Sequence, residues 1–171
     1  MLTTEHVRAL LEHLVIFKAK LKNYTTSIKY IQSEEAKSDE IQSNMLVQNS
    51  EGMPYPPAGN DSDKTANIAL SYQDKLNQEL RAMLLYSHQL KTVIAQLEDA
   101  IESLPDKMQR LIVEQHYKLG KTMAQIADEY YKELDNRSAR TLSRMNGQAI
   151  EFIRQVIAIT ERQYKDVLGR D

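Results

Sequence analysis

Few residues in this 171-residue chain are of a type and spacing that could carry out bond-making chemistry. There is no cysteine, which removes disulfides, thiolate zinc sites, iron–sulfur clusters and a cysteine nucleophile. The histidines are His6, His13, His88 and His116, and none falls in an HExxH pattern or among close-spaced metal ligands. His6 and His13 share a helix face about two turns apart, and they read as a solvated pair. The acids cluster as Glu34 with Glu35, Asp39 with Glu40, and Glu98 with Asp99. Those positions flank heptad residues, where a coiled coil carries its outer charge. GxSxG and Walker A patterns are absent, and no set of nucleophile, base and oxyanion donor can be assembled. The chain therefore reads as a non-enzyme, with no catalytic residue, no metal and no cofactor.

A different chemistry is open to residues 136–148. They contain Arg137, Arg140 and Arg144, several hydrogen-bonding side chains and no acid. Arg140 and Arg144 stand i, i+4 on one helix face, and Arg137 precedes Arg140 by a turn. An arginine can donate two hydrogen bonds to a guanine edge or neutralise a phosphate. Taken alone, the window is also what a solvated helix face looks like. The formal charge of the whole chain is −2, so any attraction for nucleic acid must come from a local patch.

The elements that must position these residues are helical. Only 5 Gly and 4 Pro occur and Trp is absent, which argues against a turn-rich β fold and for helix. From Thr4, read as the first cap, to Ser33, apolar residues fall at Leu10, Leu14, Phe17, Leu21, Tyr24, Ile28 and Ile31, a heptad seam. A weaker helical pattern runs on through Ile41 and Met45. Residues 48–63 hold three of the four prolines and two of the five glycines, and read as a loop. A second seam follows: Leu76, Leu80, Met83, Ser87, Leu90, Ile94, Leu97, Ile101 and Leu104. Two heptad helices joined by a loop most simply form an antiparallel hairpin, although each could instead pair with another copy.

After the second seam, Pro105 reads as the first turn of a helix that Gly120 terminates. Thr122 and Gln125 have the spacing of a capping box that opens the next helix. A polar stretch, 132–136, precedes a last helix starting near Ser138. Its stripe of Leu142, Met145, Ala149, Phe152, Val156 and Ile159, widened by Ile150, Ile153 and Ile157, predicts one long helix almost to Asp171. Gly147 inside it marks a bend. The predicted fold class is all-α: a helical hairpin over 1–103 and a helix-turn-helix domain with a long C-terminal helix over 104–171.

Residues 101–154 resemble region 4 of bacterial sigma factors. The resemblance rests on Ile101–Pro105 (IESLP), Gln115–Gly120 (QHYKLG), Thr122–Ala127 (TMAQIA) and Ser138–Arg144 (SARTLSR). With Gly52, Met53 and Pro54, then Asp63 and Lys64, most of the chain resembles phage- and prophage-encoded sigma-region-4-like regulators of late genes, the ArpU/RinA type. One departure stands out: residues 128–140 separate Ala127 from Thr141, a longer turn than the pattern has, and Tyr131 stands where it has glycine.

The resemblance implies double-stranded-DNA binding and transcription activation, with RNA polymerase as a further partner. The residues assigned to DNA are Arg137, Arg140 and Arg144, with Ser138 and Thr141 at the start of the reading helix, where its dipole favours phosphate. Lys121 and Thr122 are assigned to backbone phosphate. A homo-oligomer is expected, with a dimer favoured, because DNA sites commonly repeat with two-fold symmetry. No run of 18 apolar residues and no apolar signal core follow the N-terminus, so no membrane association and a bacterial cytoplasmic location are expected. Two other readings compete: a DNA-packaging recognition subunit resembling the small terminase, and a coiled-coil adaptor that binds proteins and not DNA.

Overall fold

A computed structural model describes residues 2–49, 61–130, 132, 134 and 137–169. Side chains are described for 2–34, 73–130, 132, 134 and 137–169. Among the described residues the chain is all-helical. The helices are α1 (Thr4–Glu12), α2 (Leu14–Asn49), α3 (Asp61–Glu102), α4 (Lys107–Val113), α5 (Met123–Glu129), α6 (Ala139–Val156) and α7 (Glu161–Leu168). A π-helical turn, Glu114–Lys118, extends α4. Among the described residues no helix is long and apolar enough to cross a membrane.

The chain divides into two compact units. One comprises Met1–Leu21 with His88–Asp171, and the other Lys22–Ser87. This grouping follows packing and cuts both long helices, whereas the division at 103/104 follows chain order.

Several boundaries differ from those expected. The first helix starts one residue earlier, because Thr3 and not Thr4 is the cap: Thr3 accepts from the His6 N–H at 3.2 Å, and the His6 ring returns a bond to the Thr3 N–H at 3.4 Å. It is also interrupted at His13, whose Nδ1 donates to the Ala9 carbonyl at 2.8 Å alongside its own backbone N–H at 3.1 Å. Both ends of the expected loop at 48–63 are helical. Gln48 and Asn49 close α2, and Asp61 opens α3; the proline-bearing stretch itself lies outside the described residues. Pro105 precedes its helix and Asp106 caps it, accepting from the Met108 N–H at 2.9 Å.

The largest correction is at the C-terminal side. In place of one long helix, α6 stops at Val156 and Ile157 is extended, with φ −74° and ψ 134°. Thr160 then caps α7 by a reciprocal pair with Gln163: Thr160 N–H donates to Oε1 at 2.9 Å and Gln163 N–H to Thr160 Oγ1 at 3.2 Å. The break lets Ile159 be buried while Val156 is left exposed.

In the first unit, Leu10, Leu14 and Phe17 of the first seam and Leu90, Ile94, Leu97, Ile101 and Leu104 of the second are buried. Lys18 pairs with Glu98 there. α1 also packs on α6 and α7. Thr4 donates to the Glu151 carboxylate at 3.1 Å, and the His6 ring lies 4.4 Å from the Tyr164 ring. In the second unit Ile28 and Tyr86 are buried, and Tyr24 meets Tyr86 edge-on at 5.3 Å.

Two predictions arise at α6. Gly147 sits mid-helix, and nothing lies within 4 Å of where a Cβ would be. Gly147→Ala should raise stability by about 0.5–1 kcal/mol, read from urea unfolding, because Ala has less backbone freedom to lose. Glu151 accepts from Arg154 Nη2 at 2.6 Å as well as from Thr4 and Gln155. The Arg154 guanidinium, above all, holds its carboxyl down at about 2. A carboxyl depressed on folding contributes stability above its unfolded pKa and loses it as pH falls through the folded one. The melting temperature should therefore drop between pH 4.5 and about 2 more steeply in the natural chain than in Glu151→Gln. Equal slopes would refute this.

Candidate nucleic-acid interface

The arginine window is carried by three helices sharing one core. Ile112 of α4, Ile126 of α5, and Leu142 and Met145 of α6 are buried together with Leu134, which lies between α5 and α6. Met108, Leu111, Met123, Ala127 and Tyr130 pack around them. Each junction has a local cause. Gly120 takes φ +69°, a left-handed conformation open to glycine at little cost, and its N–H donates to the His116 carbonyl at 3.0 Å. Thr122 and Gln125 form the expected capping box, with Thr122 N–H to Oε1 at 2.9 Å and Gln125 N–H to Thr122 Oγ1 at 3.3 Å. α5 ends at Glu129. Leu134 N–H then donates to the Tyr130 carbonyl at 2.9 Å, and Arg137 N–H to the Leu134 carbonyl at 3.1 Å. Leu134 is fully buried, in a stretch expected to be polar. Tyr131, Glu133, Asp135 and Asn136 lie outside the described residues.

The expected site residues fall into two groups. Ser138 caps α6, its Oγ accepting from the Thr141 N–H at 3.4 Å and lying 3.2 Å from Thr141 Oγ1. Arg140 and Arg144 are exposed on α6, while Leu142 and Met145 point to the core. Neither arginine has a hydrogen bond or ion pair with any described residue. Arg137 differs: it is half-buried, its Nη1 reaching the Met145 sulfur at 3.5 Å.

Lys121 and Thr122 are engaged within their own turn. The Lys121 ammonium is paired with Glu129 and lies 5.2 Å from the Tyr130 ring centre. The hydrogen bond to Glu129 raises its pKa above the ordinary lysine value. The Thr122 hydroxyl and N–H are both used by the capping box.

One polar contact beneath α6 was not anticipated from the sequence, which offered Tyr117 only as an apolar position and did not single out Asn146. Asn146 is the buried polar residue of the described chain, and its Nδ2 donates to Tyr117 Oη at 3.1 Å. Burial pushes the Tyr117 phenol above its ordinary pKa. The signal was available, since Asn146 stands i+4 from Leu142 on the apolar stripe. The histidines take structural parts: His6 completes a cap, His13 bonds Ala9, and His116 Nδ1 donates to the Lys121 carbonyl at 2.7 Å.

No protein-family model, curated protein or solved structure matches this chain.

Proposed function

We propose that this chain is a sequence-specific regulator of transcription, of phage or prophage genes in a bacterial cytoplasm, that reads double-stranded DNA with the first turns of α6. The observation that carries this reading is Arg140 and Arg144, exposed side by side on α6 with no partner among the described residues, α6 being the third helix on a shared core. In a helix-turn-helix unit one helix supports and the next enters the major groove. α5 and α6 fit those parts, and the capped junction at Gly120–Thr122 and the sigma-region-4 resemblance agree with it. Arg140 and Arg144 would meet bases or adjacent phosphates, and Ser138 and Thr141 phosphate. Arg137 has a supporting part, and Lys121 and Thr122 contribute little, being held in local contacts. The long helices form an antiparallel hairpin in this reading. Its support is Lys18 of α2 against Glu98 of α3 in one unit, and Tyr24 against Tyr86 in the other. A homodimer on a two-fold site, with RNA polymerase as further partner, completes the proposal.

One observation favours a protein-binding adaptor instead: Tyr30 of α2 and Leu85 of α3 are 66% and 59% exposed. Fluorescence anisotropy decides between the two. The purified chain is titrated with duplex from its own genomic neighbourhood and with scrambled duplex across a salt series. A steep salt slope with preference for the native duplex supports the regulator. Absence of binding at low salt would leave the adaptor as the better account. Gel filtration adds a check, since a ring would favour a packaging subunit and a dimer the regulator.

A further inference from the structure

We propose that the buried hydrogen bond between Asn146 and Tyr117 sets the rotational register of α6, which makes Asn146 a positioning residue for sequence discrimination although it faces the core. This rests on the DNA-reading role of α6 given above.

The inference starts from what else holds α6 in place. Around Asn146 its buried residues are Leu142, Met145, Ala149, Ile150 and Ile153. Apolar contacts of this kind are weakly directional, and cores of flexible side chains repack readily. A slip of one residue turns a helix by about 100°. Arg144 lies two positions before Asn146, so a turn that moved one would swing the other off its target. A buried amide resists such a slip, because every other register strands two buried polar groups at once. A single buried polar residue fixing register is the best-attested use of such groups.

The partner is itself fixed. Tyr117 belongs to the π-helical turn Glu114–Lys118, and such turns commonly occur at functional positions. The turn is closed by Lys121 N–H on the Gln115 carbonyl at 3.1 Å, Gly120 N–H on the His116 carbonyl at 3.0 Å, and His116 Nδ1 on the Lys121 carbonyl at 2.7 Å. Among the described residues the Asn146 amide bonds Tyr117 through Nδ2, and Oδ1 meets no partner there. A residue kept only for stability would be better replaced by Leu at this position.

The test uses the full chain as the natural protein, Asn146→Leu, Tyr117→Phe and the double variant. Each is titrated with native-neighbourhood and scrambled duplex at several salt concentrations, and its thermal unfolding is recorded. The ratio of the two affinities should fall about tenfold in either single variant and no further in the double, because the two residues act as one contact. Affinity for scrambled duplex should fall by much less than affinity for the native duplex, since non-specific attraction to phosphate tolerates a displaced helix that base contacts do not. An unchanged ratio overturns the proposal. So does a parallel fall of both affinities, which a merely structural role would give. If Asn146→Leu does not unfold cooperatively, Tyr117→Phe decides alone. A natural chain that does not discriminate at all overturns the DNA-reading role itself, and the two failures are thereby distinct.

Discussion

Leu134→Ala is expected to lower the unfolding free energy by about 2–5 kcal/mol, the range for emptying a fully buried leucine site. The site is sensitive because Leu134 joins Ile112, Ile126, Leu142 and Met145 in the small core beneath α4, α5 and α6. No helix of its own holds it there. Its backbone is tied by one bond to Tyr130 and one from Arg137, so truncation removes both the filling of the core and the anchor of the turn. Lys132→Ala, at an exposed position two residues earlier, is the control and should change stability by no more than about 0.5 kcal/mol. Urea unfolding of the two variants beside the natural chain decides the matter. Equal effects at Leu134 and Lys132 would mean that the turn is not anchored in the core.

Arg140→Ala and Arg144→Ala should each weaken binding to native-neighbourhood duplex by about 1–3 kcal/mol where the side chain makes a paired contact with a base. The pattern identifies the contact. Loss of a base contact relaxes preference at one position of the site. Loss of a phosphate contact lowers affinity evenly across sequences and reduces the salt slope by about 1. Lys121→Ala is the informative comparison. Its ammonium already has Glu129 as partner, so removing it should leave DNA affinity nearly unchanged while loosening the start of α5. Stronger binding loss at Lys121 than at Arg140 and Arg144 would move the interface from α6 to α5 and refute the reading.

Helix content and the three-helix part were legible because their causes are local. Gly120 and the Thr122–Gln125 pair act within a few residues of themselves, and both behave as their chemistry requires. The same chemistry was present and overlooked at Thr160 and Gln163, where the spaced stripe of Ile150, Ile153, Ile157 and Ile159 suggested one helix. The apolar stripe and the cap competed there, and the cap prevailed because the extended Ile157 still allows Ile159 to be buried. Leu134 could not be recognised as core from its neighbours, since Lys132 and Asp135 make the stretch look like solvated loop. Its burial comes from three helices meeting, not from a period. The arginine window was readable by composition. That Arg137 bends back to Met145 while Arg140 and Arg144 stay free depends on where the turn delivers α6, and spacing carries no record of that.

The discontinuity of the first unit has a consequence for how the chain reaches its folded state. α4, α5 and α6 touch through residues close in sequence, so their core can assemble quickly from local encounters. The contact of Thr4 with Glu151 spans 147 positions, and contacts so distant wait on closure of a long loop. During synthesis α1 leaves the ribosome long before α6 and α7, on which it packs, exist. The three-helix part should therefore acquire its shape first and α1 dock afterwards, which makes α1 the element on which late folding errors would concentrate.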